Sequence, residues 1–425
     1  MDYFLSFILC LCLTWIIIQA FYSIARSIVT STKLPPGPKP FPIIGNLLEL
    51  VGHKPQKSSA KLANAHGPLM TLKLGQKTTI VISSADLTKE VLQQHDQFFC
   101  NRTIPESVVA GNEHEFSLPW LPVSAQWRNL RRICKSHLFA NQILDANQNL
   151  RKKKVQELLA DIHNSIDLLD PNSATGRELS KLVHSILEVG SRPNLADYFP
   201  VLKKVDPQGI RRQMTIYYGK MIDLFSSIIS QRLLQRKTFG SIRNNDMLDT
   251  LLHISEESTG EIDKTQIERL FVDLFLAGND TTSATLEWAM AELLYNPEVL
   301  SKAKAEHKQI IGKGNAVVES DIDRLPYLQA IVKETFRLHP PVPLLLPRKA
   351  GADVEIQGFT VPKGRRMCPG LPLVLRMLHL MLGSLIRTFD WKVEGGFKPK
   401  DIYFEEKFGL TLQKAKPLRA IPIMA

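Results

Sequence analysis

A cysteine near the C-terminal end has the surroundings of a metal ligand. Cys368 lies in the segment Arg365-Arg366-Met367-Cys368-Pro369-Gly370, and a long apolar stretch begins at Leu371. Nearby positive charge and a helix N-terminus both favour the thiolate, which is the form of cysteine that binds metal. A single cysteine is more often a buried small hydrophobe, so the ligand hypothesis needs support from other stretches.

An acid beside a hydroxyl interrupts a long apolar helix. Residues 266–296 can be read as one helix of about 46 Å, and its middle carries Ala-Gly-Asn-Asp-Thr-Thr-Ser at positions 277–283. These are mostly poor helix formers, so a polar run here suggests a function. A small residue lets a flat ligand approach the backbone, while Asp280 beside Thr281 can relay protons. The alternative is a tolerated kink.

Two further pairs have helical spacing. Trp127 and Arg131 are four residues apart, so an indole N–H and a guanidinium can meet the same anionic group. A cation–π contact is the alternative. Glu334 and Arg337 are three residues apart and form an intrahelical ion pair that contributes little if it is exposed.

The elements that must position these residues are mostly helical. Alternation predicts a hairpin from strands 69–74 and 78–82, followed by a helix from Ser84, its N-cap, to Gln94. Residues 104–124 form a long loop that faces substrate or makes a surface excursion. Amphipathic helices fill 140–250, broken at 170–172 and 193–207. The apolar loop 193–200 dips into a membrane, forms a substrate entry or folds over the core.

The N-terminus predicts a membrane anchor. Residues Phe4–Phe21 would form a helix of about 27 Å, close to the thickness of the bilayer's hydrocarbon core. Asp2 rather than a basic cluster precedes this segment, and no small-residue cleavage site is evident, so an uncleaved anchor is favoured over a signal peptide. Arg26, Lys33 and Lys39 follow the span, which places the rest of the chain on the cytoplasmic side. The proline-rich segment 34–42 is then a stiff, extended connector.

Composition narrows the classes of partner. The net charge of +11 is spread along the chain without any nucleic-acid motif. It fits a solvated surface, an anionic membrane face or an acidic protein better than nucleic acid. The five cysteines have neither metal-cage spacing nor the usage of a disulfide framework, which indicates a reducing compartment.

Taken together, the motifs resemble those of a microsomal plant cytochrome P-450, a haem-thiolate monooxygenase. The resemblance covers nearly the whole chain, and segment 194–200 is similar to the plant branch that includes the geraniol 8-hydroxylases. Five motifs occur in the family's order: the proline-rich hinge, Trp127-x-x-x-Arg131, Ala277-Gly278-x-Asp280-Thr281, Glu334-x-x-Arg337 and Arg366-x-Cys368-x-Gly370.

The resemblance implies a fold and a domain layout. The fold class would be mainly α with small β-sheets (α+β), preceded by a transmembrane helix. Residues 1–30 would be the membrane anchor, 31–46 the proline-rich hinge and 47–425 the haem-thiolate domain. The chain would be a single-pass protein of the endoplasmic reticulum with its body in the cytoplasm.

The resemblance also implies residue roles. Cys368 would be the metal ligand of haem b, iron protoporphyrin IX, as its proximal thiolate. Trp127, Arg131, Arg348 and Arg366 would pair with the haem propionates. Asp280 and Thr281 would be catalytic, by delivering protons to dioxygen. Electrons would come from an NADPH-dependent flavoprotein reductase. The substrate would be small and apolar, such as the monoterpenoid alcohol geraniol, in a pocket formed by Val108, Phe116, Trp120, Ala277, Val342, Leu345 and Leu410.

The chain departs from the family pattern in two places. Only nine residues separate Gly358 from Cys368, where the family has several more elements, so the chain is predicted to be shortened near 361–365. A Pro-Glu-Arg-Phe-like segment is missing there, and Val361 stands where the family has a phenylalanine. A second shortening is predicted near 160–170.

These gaps leave two hypotheses. Without the missing segment, Glu334 and Arg337 would lose a buried partner, and an unpaired buried charge costs several kcal/mol. The loop of Cys368 would also lose its supporting shell. The first hypothesis is an active monooxygenase. The second is a catalytically inert, membrane-anchored variant without stable haem.

Overall fold

The computed structural model of the chain is mainly helical. It describes residues 6–17, 19, 34–50, 54–95, 99, 101–164, 174–239, 246–257, 262–312, 314–349, 353–356, 359–362, 368–396 and 398–424. The chain divides into two compact units. The smaller unit comprises Met1–Glu106, Pro193–Ile210 and Leu346–Arg366, and the larger unit comprises Ser107–Arg192, Arg211–Leu345 and Met367–Ala425.

The smaller unit is built around two-stranded sheets. Its strands are β1 (Leu69–Leu74), β2 (Lys77–Ile82), β3 (Asn101–Arg102), β4 (Arg348–Lys349), β5 (Asp353–Ile356) and β6 (Phe359–Pro362). They pair antiparallel as β1–β2, β3–β4 and β5–β6. Its helices are α1 (Ser6–Ile17), α2 (Leu47–Leu50), α3 (Pro55–His66), α4 (Ala85–Lys89) and α10 (Leu195–Tyr198). A small core gathers Leu69, Leu87, Val91 and Phe99.

Two local predictions in this unit are confirmed. The predicted hairpin is β1–β2, with Leu69 opposite Ile82 and Leu74 opposite Lys77. Ser84 caps α4, because its hydroxyl accepts a hydrogen bond from the Leu87 N–H at 3.2 Å. The helix then continues as a π-helical turn over Glu90–Gln94, so its predicted end at Gln94 is also confirmed.

The proline-rich segment runs beside β1 in an extended conformation, as predicted. Thr71 donates its N–H to the Pro36 carbonyl at 2.9 Å and its hydroxyl to the Pro35 carbonyl at 2.8 Å. A Cβ on Gly37 would lie 2.0 Å from the Thr71 carbonyl oxygen. Only glycine therefore allows the segment to approach this closely.

The apolar loop 193–200 folds onto the β1–β2 turn. The Gln76 N–H donates to the Tyr198 carbonyl at 3.0 Å, and Gly75, at φ +58°, is so close that a Cβ would lie 2.8 Å from the same carbonyl. Loop 193–200 contains the short helix α10, whose N-cap Asn194 accepts from the Ala196 N–H. Of the three predicted alternatives, this supports a loop folded over the body, while Leu195 is exposed.

The larger unit holds the long helices. They are α5 (Glu106–Val109), which starts at the boundary, α6 (Ala125–Ile133), α7 (Asn141–Ala146), α8 (Gln148–Asn164), α9 (Ala174–Gly190), α11 (Ile210–Phe239), which also starts at the boundary, α12 (Met247–Glu257), α13 (Lys264–Tyr295), α14 (Pro297–Ile311), α15 (Pro326–Leu338) and α16 (Leu371–Thr388). Its strands are β7 (Phe389–Val393), β8 (Glu406–Lys407), β9 (Gln413–Lys414) and β10 (Ala420–Met424), paired antiparallel as β7–β10 and β8–β9.

Helix α13 confirms the predicted long helix. Asp263 begins it with a capping box, in which its side chain accepts from the Gln266 N–H and Gln266 reaches back to the Asp263 N–H. This satisfies donors that a helix start otherwise leaves open. The predicted loop 104–124 is partly wrong, because it contains α5 and a 3₁₀ helix over Ala110–Glu115.

The core of the larger unit consists of two main clusters. One joins α8, α13, α14, α15 and α16 around Ile386 and Leu328. The other joins α6, α12, α13 and the residues near Phe139. Helix α16 is therefore a core helix, although it is long and apolar enough to cross a membrane.

The predicted membrane anchor is only partly described. The apolar helix Ser6–Ile17 has exposed side chains such as Phe7 and Trp15, but its twelve described residues would span about 18 Å, less than a bilayer core. The rest of the predicted anchor lies outside the described residues. The shortenings are predicted near 160–170 and 361–365, and residues 165–170 and 363–365 of these segments also lie outside the described residues.

Candidate active site

Cys368 lies just before the first turn of α16. Gly370 is the N-cap of this helix and contributes no side-chain hydrogen bond, so no side chain at the cap occupies the N–H groups that begin α16. The Cys368 side chain is exposed. A thiolate here would lie beside the positive end of a helix dipole, as the sequence predicts.

Helix α6 lies in the same part of the unit. Ser124 caps it by accepting from the Trp127 N–H at 3.2 Å. Trp127 packs against the second core cluster, and Leu373 of α16 packs against that same cluster. Gly370 also lies near Phe139, whose ring would be 3.9 Å from a Cβ at Gly370. The structure therefore brings the helix of Trp127 and Arg131 together with the helix that follows Cys368.

The acid–hydroxyl pair lies in the middle of α13. The Thr281 hydroxyl donates to the Ala277 carbonyl at 2.7 Å, and Thr282 donates to the Gly278 carbonyl at the same distance. Such bonds to the carbonyl four residues earlier let threonines remain inside a helix. Asp280 accepts a hydrogen bond from Gln413 of β9, with 2.7 Å between Nε2 and Oδ1. Gln413 is a site residue that the sequence analysis missed.

This middle stretch of α13 is open on one side. Buried residues flank it at 267–272 and 284–294, whereas Phe275, Ala277, Gly278 and Asn279 are exposed. Apart from its chain neighbours and the backbone of its own helix, a Cβ at Gly278 would meet no atom of the described residues within 4 Å. A flat ligand can therefore approach the backbone here, as the sequence predicts.

These residues fit a haem group by their chemistry. Cys368 supplies a thiol near a helix N-terminus, and Trp127 and Arg131 supply an indole N–H and a guanidinium on α6. Thiolates can bind a haem iron, and such N–H donors can bind its propionates. Arg348, the third predicted propionate partner, lies in β4 of the smaller unit and donates to the Phe99 carbonyl at 3.2 Å. Arg366, the fourth, lies outside the described residues.

The predicted pocket residues have different environments. Val108 is buried, while Leu345, Leu410 and Ala277 are exposed. Trp120 and Val342 are half-buried. The Arg269 guanidinium lies over the Phe116 ring, with 5.3 Å between Arg269 Cζ and the ring centre.

The loop before α6 is tied to α13 by three polar contacts that residue types and spacing did not predict. Ser117 donates to Asp273 at 2.5 Å, and the Leu118 N–H donates to the other carboxylate oxygen at 2.7 Å. Glu113 pairs with Arg269. Burial raises the pKa of both Glu113 and Asp273 to about 7. A sequence signal existed, since charged residues at 269 and 273 interrupt an apolar helix four residues apart.

The expectation for Glu334 and Arg337 needs correction. The ion pair forms as its spacing predicts, with both guanidinium–carboxylate contacts at 2.7 Å. However, the two side chains are 53% and 67% exposed. The pair is therefore solvated and mutually satisfied, and it does not carry the cost of an unpaired buried charge.

The fold and the site together define a mainly helical enzyme with a cysteine before a core helix and an acid–hydroxyl pair in a long helix. The sequence model described as "Cytochrome P450" matches residues 35–170 and 165–365. The chain belongs to the cytochrome P450 family, whose members are haem-containing oxidoreductases of the monooxygenase type.

Curated plant relatives match nearly the whole chain. A protein named geraniol 8-hydroxylase from Swertia mussotii is 47% identical, over 92% of this chain and 94% of the relative. Another of that name from Catharanthus roseus is 46% identical over 99% of both. Drimenol monooxygenase from Persicaria hydropiper is 41% identical over 99% of this chain and 97% of the relative.

Proposed function

We propose that the protein is a haem-dependent monooxygenase that hydroxylates a small apolar terpenoid, such as the monoterpenoid alcohol geraniol. The observation that carries this proposal is the open stretch of α13 with Asp280 and Thr281, in the same unit as Cys368 and Trp127. The relatives named for geraniol and drimenol oxidation support the substrate class. The overall reaction would insert one atom of O₂ into a C–H bond and reduce the other atom to water, with two electrons and two protons.

Each site residue then has a defined task. Cys368 would bind the haem iron, and Trp127, Arg131, Arg348 and Arg366 would hold the propionates by charge-assisted hydrogen bonds. The bound haem would supply the activation of dioxygen. Asp280 and Thr281 would hold and pass protons on the open side of α13.

Apolar side chains support a small apolar substrate. Leu345 and Leu410 are exposed, and Phe275 and Ala277 are exposed on the open stretch of α13. We infer that these side chains line one site, which would favour an apolar ligand. The regiochemistry would follow from how these side chains orient the substrate.

The cellular setting is part of the proposal. The exposed apolar helix Ser6–Ile17 and the proline-rich segment beside β1 support an N-terminal anchor in the endoplasmic reticulum, with the body in the cytoplasm. An NADPH-dependent flavoprotein reductase would deliver the electrons. The positive net charge of +11 favours an acidic surface on that partner.

A shortened chain is the basis of the second candidate function, a catalytically inert variant. The alignment with the Catharanthus roseus relative runs over 497 positions, whereas this chain has 425 residues. That relative therefore contains residues without a counterpart here. The solvated Glu334–Arg337 pair also favours this candidate, because the family's third partner for the pair is missing from the sequence.

The test is the carbon-monoxide difference spectrum of the reduced full chain in membranes, followed by turnover of geraniol with NADPH and a plant reductase. We expect the long-wavelength Soret band of thiolate ligation, its loss in Cys368→Ser, and a hydroxylated product. If the protein is in the membrane without that band and without product, the inert variant is correct. Restoring the residues present in the relatives would then be expected to bring back the band.

A further inference from the structure

A small cavity lies beside Asp280 in the larger unit. It has a volume of about 40 Å³. Its polar lining includes His184 and Glu188 of α9, Asp280 of α13, and Lys407 and Gln413 of the β8–β9 hairpin, and its apolar lining includes Leu187, Phe408 and Leu410. About 10–15 Å³ accommodates one water molecule. The cavity therefore has room for roughly two or three waters with several polar partners, but not for an organic substrate, which needs about 300 Å³ or more.

Gln413 fixes the orientation of the acid at the inner end of this cavity. Its Nε2 donates to Asp280 Oδ1 at 2.7 Å across 133 positions of sequence. Gln413 is adjacent to Lys414, which is buried and donates to the Tyr403 carbonyl, so the backbone at this point of β9 is firmly held. One carboxylate oxygen of Asp280 is thus directed toward the hairpin and the cavity.

The cavity is in contact with solvent at His184 and Glu188. His184 Nε2 lies 3.9 Å from Glu188 Oε2, and these side chains are 62% and 45% exposed. The hydrogen bond from Arg192 lowers the pKa of Glu188, so Glu188 is ionised at neutral pH. A histidine can exchange protons with water near neutral pH, and this one faces the same cavity as Asp280.

We propose that Gln413 is a positioning residue for Asp280, and that protons reach Asp280 from solvent through the waters of this cavity, with His184 at its entrance. The inference rests on the proposed monooxygenase function. It adds the route by which protons reach Asp280 and the residue that orients the Asp280 carboxylate. No electron or co-reactant is needed, because each proton moves from His184 through water to the Asp280 carboxylate, and His184 regains a proton from solvent.

Two substitutions at Gln413 test the positioning role. Gln413→Leu removes the donor, and product formed per NADPH oxidised should fall roughly 10–100-fold, the effect expected from the loss of one hydrogen bond to a charged group. The carbon-monoxide spectrum and the spectral substrate affinity should stay unchanged. Gln413→Glu should retain activity at low pH, where a carboxylic acid donates to Asp280, and lose it as pH rises and the two carboxylates repel.

The pH comparison separates positioning from a structural role. His184, Glu188 and Lys407 line the same cavity as Asp280 in every variant, so their contributions cancel when the activity of Gln413→Glu is divided by that of wild type at each pH. A merely structural role would give a loss that does not vary with pH. The infrared difference spectrum of Gln413→Glu minus its double variant with Asp280→Asn should also show a protonated carboxyl band at neutral pH, whether or not haem is loaded. The bands of Glu113 and Asp273, whose pKa values burial raises to about 7, cancel because both proteins carry them.

The entrance is tested with a matched pair of surface histidines. His253 of α12 also precedes a glutamate by four residues, with 3.0 Å between His253 Nδ1 and Glu257 Oε2, but it does not line the cavity. His184→Gln should lower the coupling, which is the product formed per NADPH oxidised, and increase the solvent deuterium isotope effect on product formation. His253→Gln should change neither quantity. Equal behaviour of these two variants, or unchanged coupling in an active Gln413→Leu protein, would overturn the proposal alone. A wild-type chain without product would overturn the proposed function and the proton route together.

Discussion

Two arginine–carboxylate pairs in the larger unit have the same geometry and opposite surroundings. Arg151 meets Glu319 with contacts of 2.6 and 2.8 Å, and Arg337 meets Glu334 with two contacts of 2.7 Å. The first pair is 9% and 7% exposed, and the second is 67% and 53% exposed. Bidentate geometry alone therefore does not show how much a pair contributes to stability, because the free-energy cost of breaking a pair depends on its burial.

The buried pair also bears on the position of Cys368. Arg376 of α16 donates to Glu319 at 3.2 Å and to Asp145 of α7 at 2.5 Å. Glu319 thus joins α8 to α16, the helix that begins three residues after Cys368. The exposed pair joins only two neighbouring turns of α15 and restrains no other element among those described.

The largest expected effect comes from Glu319→Gln. The substitution leaves the buried Arg151 guanidinium and Arg376 facing a neutral amide, and breaking a buried pair in this way costs about 3–5 kcal/mol. We expect the free energy of unfolding, measured with urea on the full chain in detergent, to fall by this amount. The fraction of protein with the thiolate Soret band should fall as well, because α16 loses its tie to α8.

A smaller loss of unfolding free energy in Glu319→Gln would contradict the contrast between the buried and the exposed pair. If Glu319→Gln lowered the free energy of unfolding by less than 1 kcal/mol, water would have to reach Arg151, and the pair would behave as a surface pair does. The variant Arg151→Met/Glu319→Leu is a useful control. It removes both charges and should recover much of the lost stability, since apolar replacement of a whole buried pair is often neutral.

Asp273 extends the comparison to an enclosed carboxyl group that accepts from a hydroxyl and a backbone N–H, those of Ser117 and Leu118. The residue is half-buried as a whole, but burial of its carboxyl raises the pKa to about 7 from the usual 3.8. Between about pH 4 and pH 7 the folded protein therefore keeps a proton that the unfolded chain releases. This stabilisation is complete below pH 4 and is lost as the pH rises through 7.

Asp273→Asn removes this titration and keeps an oxygen that can accept from the Leu118 N–H, while its amide NH2 can donate to the Ser117 hydroxyl. We expect the variant to gain stability relative to wild type as the pH increases from 5 to 8, by a kcal/mol or more. Urea unfolding at several pH values measures this difference. Glu113, whose pKa burial also raises to about 7, is present in both proteins. A difference that does not vary with pH would mean that Asp273 is ionised throughout.

Local patterns explain which features the sequence could predict. The hairpin β1–β2, the Ser84 cap and helix α13 all follow from periodicity and capping within a few residues. The Glu334–Arg337 pair follows from its spacing of three. Residue types alone singled out Asp280, Thr281 and Cys368 as candidates, and their roles remain predictions.

Contacts between distant segments explain what the sequence could not predict. Arg151 and Glu319 are 168 positions apart, Ser117 and Asp273 are 156 apart, and Gln413 and Asp280 are 133 apart. No periodicity links such residues, because their proximity depends on how helices and hairpins pack. The exposure of Glu334 and Arg337 was missed for the same reason, since spacing predicts a contact but not its burial.

Glu334→Gln has the smallest expected effect. Both side chains are solvated, and Arg337 keeps its contact with water when the carboxylate is removed, so the urea midpoint should not change measurably. The same substitution in a chain with the relatives' additional residues restored provides the contrast. There, a guanidinium from the restored Pro-Glu-Arg-Phe-like segment would meet Glu334, and we expect the substitution to lower the midpoint and the thiolate Soret band. If Glu334→Gln were equally harmless in both chains, the pair would be a surface contact in each, and the difference between the two pairs would belong to the fold rather than to the shortening.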